Sequence, residues 1–173
     1  VGLTYRDGVP MVYDSGDYPK ALQRAINAVG GLEKLRERQK QALAEGRYLG
    51  LGIGCYVEGT GVGPFEGATV KIDPTGKIMV AAGACPQGQG HETVFAQFAA
   101  DMWKVPIEDV YVSVADTGQV TQGYGTIASR STVTASGAIK IASDEVQEKA
   151  FSIAANMLET AESDLEMRDS GIG

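Results

Sequence analysis

The hydrophobic period of this chain changes from two to 3.6 across one glycine-rich joint, and that change limits the folds open to it. KIMVAAGA at residues 77–84 is typical of a strand, and ETVFAQFAADMW at 92–103 predicts a helix. The apolar face of that helix is formed by Val94, Phe95, Phe98, Ala99 and Met102. The joint, PQGQGHETVF at 86–95, holds two Gln, two Gly, a Glu, a Thr and the only His of the chain. A strand therefore leads into a helix through a polar, flexible turn.

Two helices are predicted before the strands. Asp17 is the expected N-cap of the first helix, and Gly30 with Gly31 ends it. Its apolar stripe is formed by Ala21, Leu22, Ile26 and Val29. The second helix, LEKLRERQKQALAEGRY at 32–48, places Glu and Lys or Arg three and four positions apart, which suits a solvated face. The residues expected to face inward are Leu32, Leu35 and Leu43.

A glycine-dense, β-rich stretch follows from Tyr48. Three glycines alternate there with larger residues, and this period of two predicts a strand with an all-glycine face against which something packs. The three are Gly50, Gly52 and Gly54. Their spacing does not match a dinucleotide-binding fingerprint, and no helix follows them. ATVKIDPTGKIMVAA at 68–82 predicts a hairpin closed by the turn at residues 73–76.

The remaining pattern predicts a strand, a long polar loop, an alanine-rich helix and a terminal strand. These lie at 105–116, 117–132, 132–159 and 163–173. The order α-α-β-β-β-α-β-loop-α-β favours the α+β class, with a mixed or antiparallel sheet and packed helices. We expect a helical segment at 1–48 and an α+β domain at 49–173.

Charge and composition exclude several classes of function. A net charge of −7 argues against nonspecific binding to nucleic acid or anionic membranes. No apolar run approaches the roughly 20 residues that span a bilayer, and the first residues do not resemble a signal peptide. We therefore expect a cytoplasmic protein. In that compartment Cys55 and Cys85 are expected to be reduced and buried, with a disulfide or redox pair as the alternative.

The joint at 86–95 has the chemistry of a ligand site. A helix N-terminus leaves its first N–H groups unpaired, and flanking glycines let an anion such as phosphate approach the backbone. Gln87 and Gln89 donate and accept hydrogen bonds, which suits an uncharged heterocycle edge or an oxo group. In the alternative interpretation, the glycines only form a tight turn and Thr93 caps the helix.

A second stretch repeats this design. GYGTIASRST at 123–132 follows a strand, carries glycines and hydroxyls, and opens the long helix. Arg130 adds a planar cation suited to phosphate. Two such helix entrances in one small domain suggest a single elongated ligand with phosphate at one end.

GQGHET at 88–93, followed by GYGTIASRS at 123–131, resembles the large, molybdenum-binding subunit of the molybdenum hydroxylases. This is the xanthine dehydrogenase, aldehyde oxidase and aerobic carbon monoxide dehydrogenase family. The segments at 13–22, 46–78 and 116–117 resemble it too, so the likeness covers nearly the whole chain. The form QGQGHET is most similar to the bacterial branch.

The resemblance implies a molybdopterin site, with the cytosine dinucleotide form of the cofactor. The first group of implied cofactor-binding residues comprises Gln87, Gly88, Gln89, Gly90, His91, Glu92 and Thr93. The second comprises Gly125, Thr126, Ser129, Arg130 and Ser131. Gln89 matches a family glutamine close to the molybdenum ligands, and no residue of this chain is expected to bind the metal directly.

The family oxidises a heterocycle, an aldehyde or carbon monoxide with oxygen from water, and passes electrons through 2Fe-2S clusters to FAD. Its catalytic base is a glutamate outside this chain, and none of Glu58, Glu66 and Glu92 matches it. We expect a fragment or split subunit, inactive alone, whose partners are the rest of the large subunit and the iron–sulfur and flavin subunits. One alternative is a noncatalytic pterin- or nucleotide-binding or assembly module, and another is a structural domain that binds nothing.

Overall fold

The computed structural model describes residues 8, 10–13, 15–168 and 171–173 of the chain. These fall into two compact units, one ending at Cys55 and one beginning at Tyr56. The boundary expected from the sequence, between residues 48 and 49, stays a prediction. The first unit holds two helices, α1 (Tyr18–Ala28) and α2 (Leu32–Ala44).

The ends of α1 are set by the residues that the sequence indicated. The carboxylate of Asp17 accepts the backbone N–H of Lys20 at 3.0 Å, and Pro19 lies in the first turn, where a missing N–H costs nothing. After the helix, Gly30 and Gly31 have φ angles of +92° and +87°, a region that favours glycine. The predicted N-cap and stop signal are confirmed.

The apolar stripes of these helices are not buried within the first unit. No residue of α1 is buried, and α2 buries only Ala42. Leu32 is 43 % exposed and Leu43 58 % exposed, so the prediction that they face inward is wrong; Leu35 is half-buried. The physical reason is size, since two short helices enclose too little volume to form a core.

The predicted glycine-faced strand is also wrong. Residues 47–59 form neither helix nor strand. A Cβ built on Gly50, Gly52 or Gly54 would meet no atom within 4 Å, so no described residue packs against the position of that Cβ. Alternating glycines lose much entropy on ordering and offer no side chains to pack, which outweighs the period of two.

The second unit is built on a mixed sheet of three strands, β1 (Ala68–Ile72), β2 (Ile78–Ala82) and β3 (Val110–Val114). The order is β1-β2-β3, with β1 antiparallel and β3 parallel to β2. The predicted hairpin and the α+β class are confirmed. In its turn, Asp73 Oδ1 accepts N–H groups of Thr75 and Lys77 at 2.7 and 3.0 Å.

Two helices form the core with this sheet. Helix α3 (His91–Trp103) connects the parallel strands, and α4 (Ser131–Leu158) packs on both α3 and β1. The predicted face of α3 is confirmed. Phe95 and Ala99 are fully buried, and the other members, Val94, Phe98 and Met102, are partly buried against the core. Deeper in, Trp103 Nε1 donates to Ser143 Oγ at 3.2 Å, which satisfies a buried polar pair.

Short elements complete the described chain. Single 3-10 turns lie at Ile107–Asp109 and Glu162–Asp164. The single terminal strand predicted at 163–173 is replaced by two short antiparallel strands, β4 (Met167–Arg168) and β5 (Gly171–Ile172). Residues 169–170 of that prediction lie outside the described residues. Both cysteine thiols are free and exposed, so the expectation of burial is wrong. Within the described ranges, no helix has the length and apolar character needed to cross a membrane.

Candidate functional site

Both predicted loops begin at one edge of the sheet. The parallel strands β2 and β3 end at Ala82 and Val114, and their carboxyl ends lie side by side in register. The first loop, residues 83–90, leads from β2 into α3, and the second loop, residues 115–130, leads from β3 into α4. In sheets with parallel strands, ligands bind in the crevice outside the carboxyl ends. The sheet therefore brings the two predicted helix entrances to the edge where ligands bind.

The two loops touch at a pair of glycines. A Cβ on Gly83 would lie 2.8 Å from the Cα of Gly123, and a Cβ on Gly123 would lie 2.9 Å from the Cα of Gly83. Only glycine fits at such a contact. The helix that follows each loop starts eight residues after the glycine: α3 at His91 after Gly83, and α4 at Ser131 after Gly123. The loops thus diverge from one point by equal lengths of chain.

The first loop presents an open backbone at the start of α3. Gly88 and Gly90 have φ angles of +96° and +74°, and a Cβ on either would meet nothing within 4 Å. The N-cap position is occupied by Gly90, which has no side chain to bond the N–H groups of the first turn. Thr93 lies exposed inside that turn, so it is not the N-cap residue. The N–H groups of this turn are available to a ligand, although the exposed carboxylate of Glu92 partly offsets their attraction for an anion.

The polar side chains of this joint differ in how they are engaged. Gln89 Oε1 accepts the backbone N–H of Gln87 at 2.5 Å, which folds this amide onto its own loop. His91 is 4 % exposed and lies against Phe95, with 5.4 Å between ring centroids. Its Nδ1 is buried without a hydrogen-bond partner among the described residues. A buried nitrogen left unpaired is costly, so this atom marks a place where a further group completes the hydrogen bonding.

Arg130 does not face the surface. Its side chain and that of Glu66 are both 0 % exposed, and Nη1 lies 2.7 Å from Glu66 Oε2. Nε donates to the carbonyl of Val62 at 2.9 Å, and Nη1 donates to that of Gly125 at 2.7 Å. Nη2 donates to the carbonyl of Phe65. The expectation that this cation faces a phosphate is opposed by the geometry, because Glu66 already supplies its anion.

Glu66 is the site residue whose role the sequence did not indicate. Besides Arg130, its carboxylate accepts the backbone N–H groups of Tyr124 and Gly125, at 3.1 and 3.2 Å. From the sequence alone Glu66 is a candidate only for a catalytic base, and 64 positions separate it from Arg130. The available signal was weak: a lone acidic residue inside the Gly- and Pro-rich segment GVGPFEGA at 61–68.

The hydroxyls of the second loop gather before α4. Ser131 Oγ donates to Thr126 Oγ1 at 3.2 Å, next to the half-buried Gly125. Ser129 is exposed and has a φ angle of +48°, and its neighbour Ala128 has +47°. Non-glycine residues in this left-handed region store strain, and such positions cluster at ligand sites.

An open cleft of about 420 Å³ lies at the roots of the loops, between Gly83, Gly123 and Asp116. Asp116 belongs to the Asp-Thr pair noted in the sequence. The side-chain amide of Gln119, followed by the backbone N–H of Gly118, lowers the pKa of the Asp116 carboxyl. The carboxylate is therefore held charged and oriented at this edge of the sheet.

Comparison with known proteins identifies the family of this chain. The family model described as the molybdopterin cofactor-binding domain matches residues 25–172. The chain is 39 % identical over 171 residues to the carbon monoxide dehydrogenase large chain of Afipia carboxidovorans, covering 89 % of this chain and 21 % of that protein. It is 34 % identical over 171 residues to the nicotine 6-hydroxylase large subunit of Paenarthrobacter nicotinovorans, covering 92 % and 21 %.

Solved structures give the same result. Quinoline 2-oxidoreductase from Pseudomonas putida 86 superposes with a TM-score of 0.62 at 37 % identity, covering 97 % of this chain and 22 % of that one. Reconstituted CO dehydrogenase from Oligotropha carboxidovorans gives a TM-score of 0.61 at 38 % identity, covering 92 % and 22 %. The chain thus spans about a fifth of the length of these relatives. Because the family model covers most of the chain and the relatives are more than a third identical across it, the chain belongs to the molybdopterin cofactor-binding domain family.

Proposed function

We propose that this chain is the part of a molybdenum hydroxylase that holds molybdopterin between the first and second loops. One observation carries the proposal. Gly83 contacts Gly123, so both polar loops start side by side at the carboxyl ends of the parallel strands. One ligand outside that edge can therefore reach both helix entrances.

The first loop fits the phosphate and pterin parts of the cofactor. The N-terminus of α3 has no side-chain cap, and Gly88 and Gly90 leave room for a ligand at the backbone, the arrangement that binds phosphate oxygens. Gln87 supplies an exposed amide for the pterin edge. The buried Nδ1 of His91 has no hydrogen-bond partner among the described residues, and such a ligand, or a water held with it, would provide one.

The second loop supplies neutral donors and acceptors. Thr126, Ser129 and Ser131 carry hydroxyls, and Gly125 contributes backbone at a positive φ angle. These groups bind the opposite side of the cofactor in this proposal. Arg130 supports them indirectly through its hydrogen bonds to Gly125 and Glu66.

Molybdopterin, when bound, supplies a molybdenum centre that takes electrons from a substrate and passes them on. The whole protein would oxidise a heterocycle, an aldehyde or carbon monoxide with oxygen from water. The names of its relatives support a heterocycle or carbon monoxide as the substrate. No side chain of this chain is assigned to proton transfer. Glu66 is unsuitable as a catalytic base because its carboxylate is buried and paired with Arg130.

We further propose the form of the cofactor and the composition of the complex. The cofactor is the cytosine dinucleotide form, and 2Fe-2S and FAD reside in partner subunits or domains of a bacterial, cytoplasmic complex. Relatives named as large chains or large subunits support the existence of smaller companions. A noncatalytic carrier would differ in having no such partners.

The test is to purify the natural protein from a host that makes molybdopterin and to measure molybdenum, released pterin and released nucleotide. Gly90→Ala should lower the molybdopterin content. Gly76→Ala is the matched control, since Gly76 also has a positive φ angle, +87°, and open surroundings, but lies in the hairpin turn. Equal molybdopterin content in the two variants, or none in the wild type, would refute the proposal. Absence of co-purifying iron–sulfur and flavin subunits would favour the carrier.

A further inference from the structure

The buried ion pair of Glu66 and Arg130 is surrounded by backbone groups that hydrogen-bond to both charges. Two charges removed from water are costly, and their attraction often fails to repay that cost, so such a pair is weak evidence for stability. Here the pair is completed by backbone groups. The carboxylate accepts N–H groups of Tyr124 and Gly125, while the guanidinium donates to carbonyls in residues 62–65 and of Gly125. The pair therefore fixes backbone conformation in two segments far apart in sequence.

Glu66 also touches the contact between the loops. Its Oε1 lies 2.7 Å from where a Cβ on Gly83 would be and 2.8 Å from where a Cβ on Gly123 would be. The carboxylate thus occupies the space that these two glycines leave. One side chain contacts the roots of both the first and the second loop.

Arg130 carries the constraint into α4. It is the N-cap of that helix, and its carbonyl accepts the N–H of Thr134 at 2.8 Å and the hydroxyl of Thr134 at 3.0 Å. The six residues from Gly125 to Arg130 are therefore held at both ends by the same ion pair. Ser129 and Thr126 lie between those ends, and no hydrogen bond of the described structure joins their hydroxyls to the charged groups.

We propose that Glu66 is a positioning residue of the molybdopterin site. Acting through Arg130 and the backbone N–H groups of Tyr124 and Gly125, it holds the second loop in the conformation that meets the cofactor. This inference rests on the proposed function. It assigns to Glu66 and Arg130 a role that requires no contact of either side chain with the ligand.

The experiment compares variants of the natural, molybdopterin-loaded protein. Glu66→Gln keeps the shape and one acceptor oxygen, and Glu66→Ala removes both oxygens. Glu66→Met combined with Arg130→Met removes both charges together, a change that buried pairs often tolerate in stability. Asp144→Asn is the control, since it breaks the exposed pair with Lys140 at 2.6 Å.

Three quantities are measured for each variant: the thermal unfolding midpoint, the rate of molybdopterin release, and hydrogen exchange of the amides of Tyr124 and Gly125. Supporting groups around bound centres typically change affinity by about 10–100-fold when removed, so we expect release to be at least about tenfold faster for Glu66→Ala. Glu66→Gln should show a smaller increase. The double Met variant should unfold near the wild-type midpoint yet release molybdopterin quickly and lose protection at both amides, whereas Asp144→Asn should match the wild type.

A double Met variant that is folded, retains molybdopterin at the wild-type rate and keeps both amides protected would overturn the inference while leaving the proposed function intact. If that variant does not fold, wild-type release and protection in folded Glu66→Gln and Glu66→Ala would overturn it equally. A wild-type protein without molybdopterin would instead overturn the proposed function, and with it the role of Glu66 toward that group.

Discussion

Adding one methyl group at Gly83 should destabilise the chain, because the contact with Gly123 has no room for it. The new Cβ would lie 2.8 Å from the Cα of Gly123 and 2.7 Å from Glu66 Oε1. Carbon atoms in relaxed contact are about 3.5–4.0 Å apart, so the neighbouring backbone must retreat by roughly 0.7–1.2 Å. Neither neighbour is the free end of a flexible side chain, since one is backbone and the other is held in a buried ion pair. Overpacking of this kind costs about 1–3 kcal/mol.

Gly137→Ala is the matched control and should have the opposite sign. Gly137 lies inside α4, and a Cβ there would meet nothing within 4 Å. Replacing such a glycine stabilises a protein by about 0.4–1 kcal/mol. Gly83→Ala and Gly137→Ala should therefore differ by roughly 1.4–4 kcal/mol in the free energy of unfolding.

Urea unfolding followed by far-UV circular dichroism measures this difference, and a thermal midpoint gives a second reading at about 2–4 °C for each kcal/mol. Molybdopterin content should fall with Gly83→Ala and stay unchanged with Gly137→Ala. A Gly83→Ala variant as stable as the wild type would refute the argument, since it would show that the two loops do not touch as described.

Three further substitutions test the helices and the hairpin. Phe95→Ala empties a fully buried position of the core and should cost about 3–5 kcal/mol in urea unfolding, a loss that Gln97→Ala on the exposed side of α3 should not show. Asp17→Ala removes the N-cap of α1 and should cost about 1 kcal/mol of local stability, seen as faster hydrogen exchange confined to that helix. The hydroxyl of Thr75 lowers the pKa of Asp73, so the stabilisation from this carboxylate is present above its unfolded pKa and lost as pH falls through the folded value. Asp73→Asn should therefore flatten the acid limb of the stability curve below about pH 4, and an unchanged limb would contradict this assignment.

Local pattern predicted the parts of the fold that local physics decides. The alternating pattern of the two strands and the turn at Asp73 determine the hairpin. The four-residue spacing of Phe95 and Ala99 determines the buried face of α3. The same reasoning failed at Gly50 and Leu43, where a pattern had no partner to pack against within the described structure. Periodicity states which face would be buried, but burial itself depends on what the rest of the molecule supplies.

For the candidate site, composition located the two loops but not their connection. The glycines and hydroxyls of GYGTIASRST can be read directly from the sequence. The contact of Gly83 with Gly123 cannot, because it joins positions 40 residues apart. Arg130 was interpreted from its chemistry alone as a phosphate ligand. Only the fold shows that Glu66, 64 positions earlier, is its partner.

The glycine contact also determines which parts of the two loops can change conformation during loading. Where Gly83 meets Gly123, each backbone blocks the other, so neither loop can move closer to the other at this point. In the first loop, adjustment must occur farther along, at Gly88, whose surroundings are open. In the second loop, hydrogen bonds to Glu66 and Arg130 hold Gly125 in place. Under the proposed function, a large cofactor would enter by displacement of the tip of the first loop, while the second loop stays in place, and its departure would require the same tip to move again. Slow exchange of the bound group is the expected consequence of that proposal, without any exceptionally strong single contact.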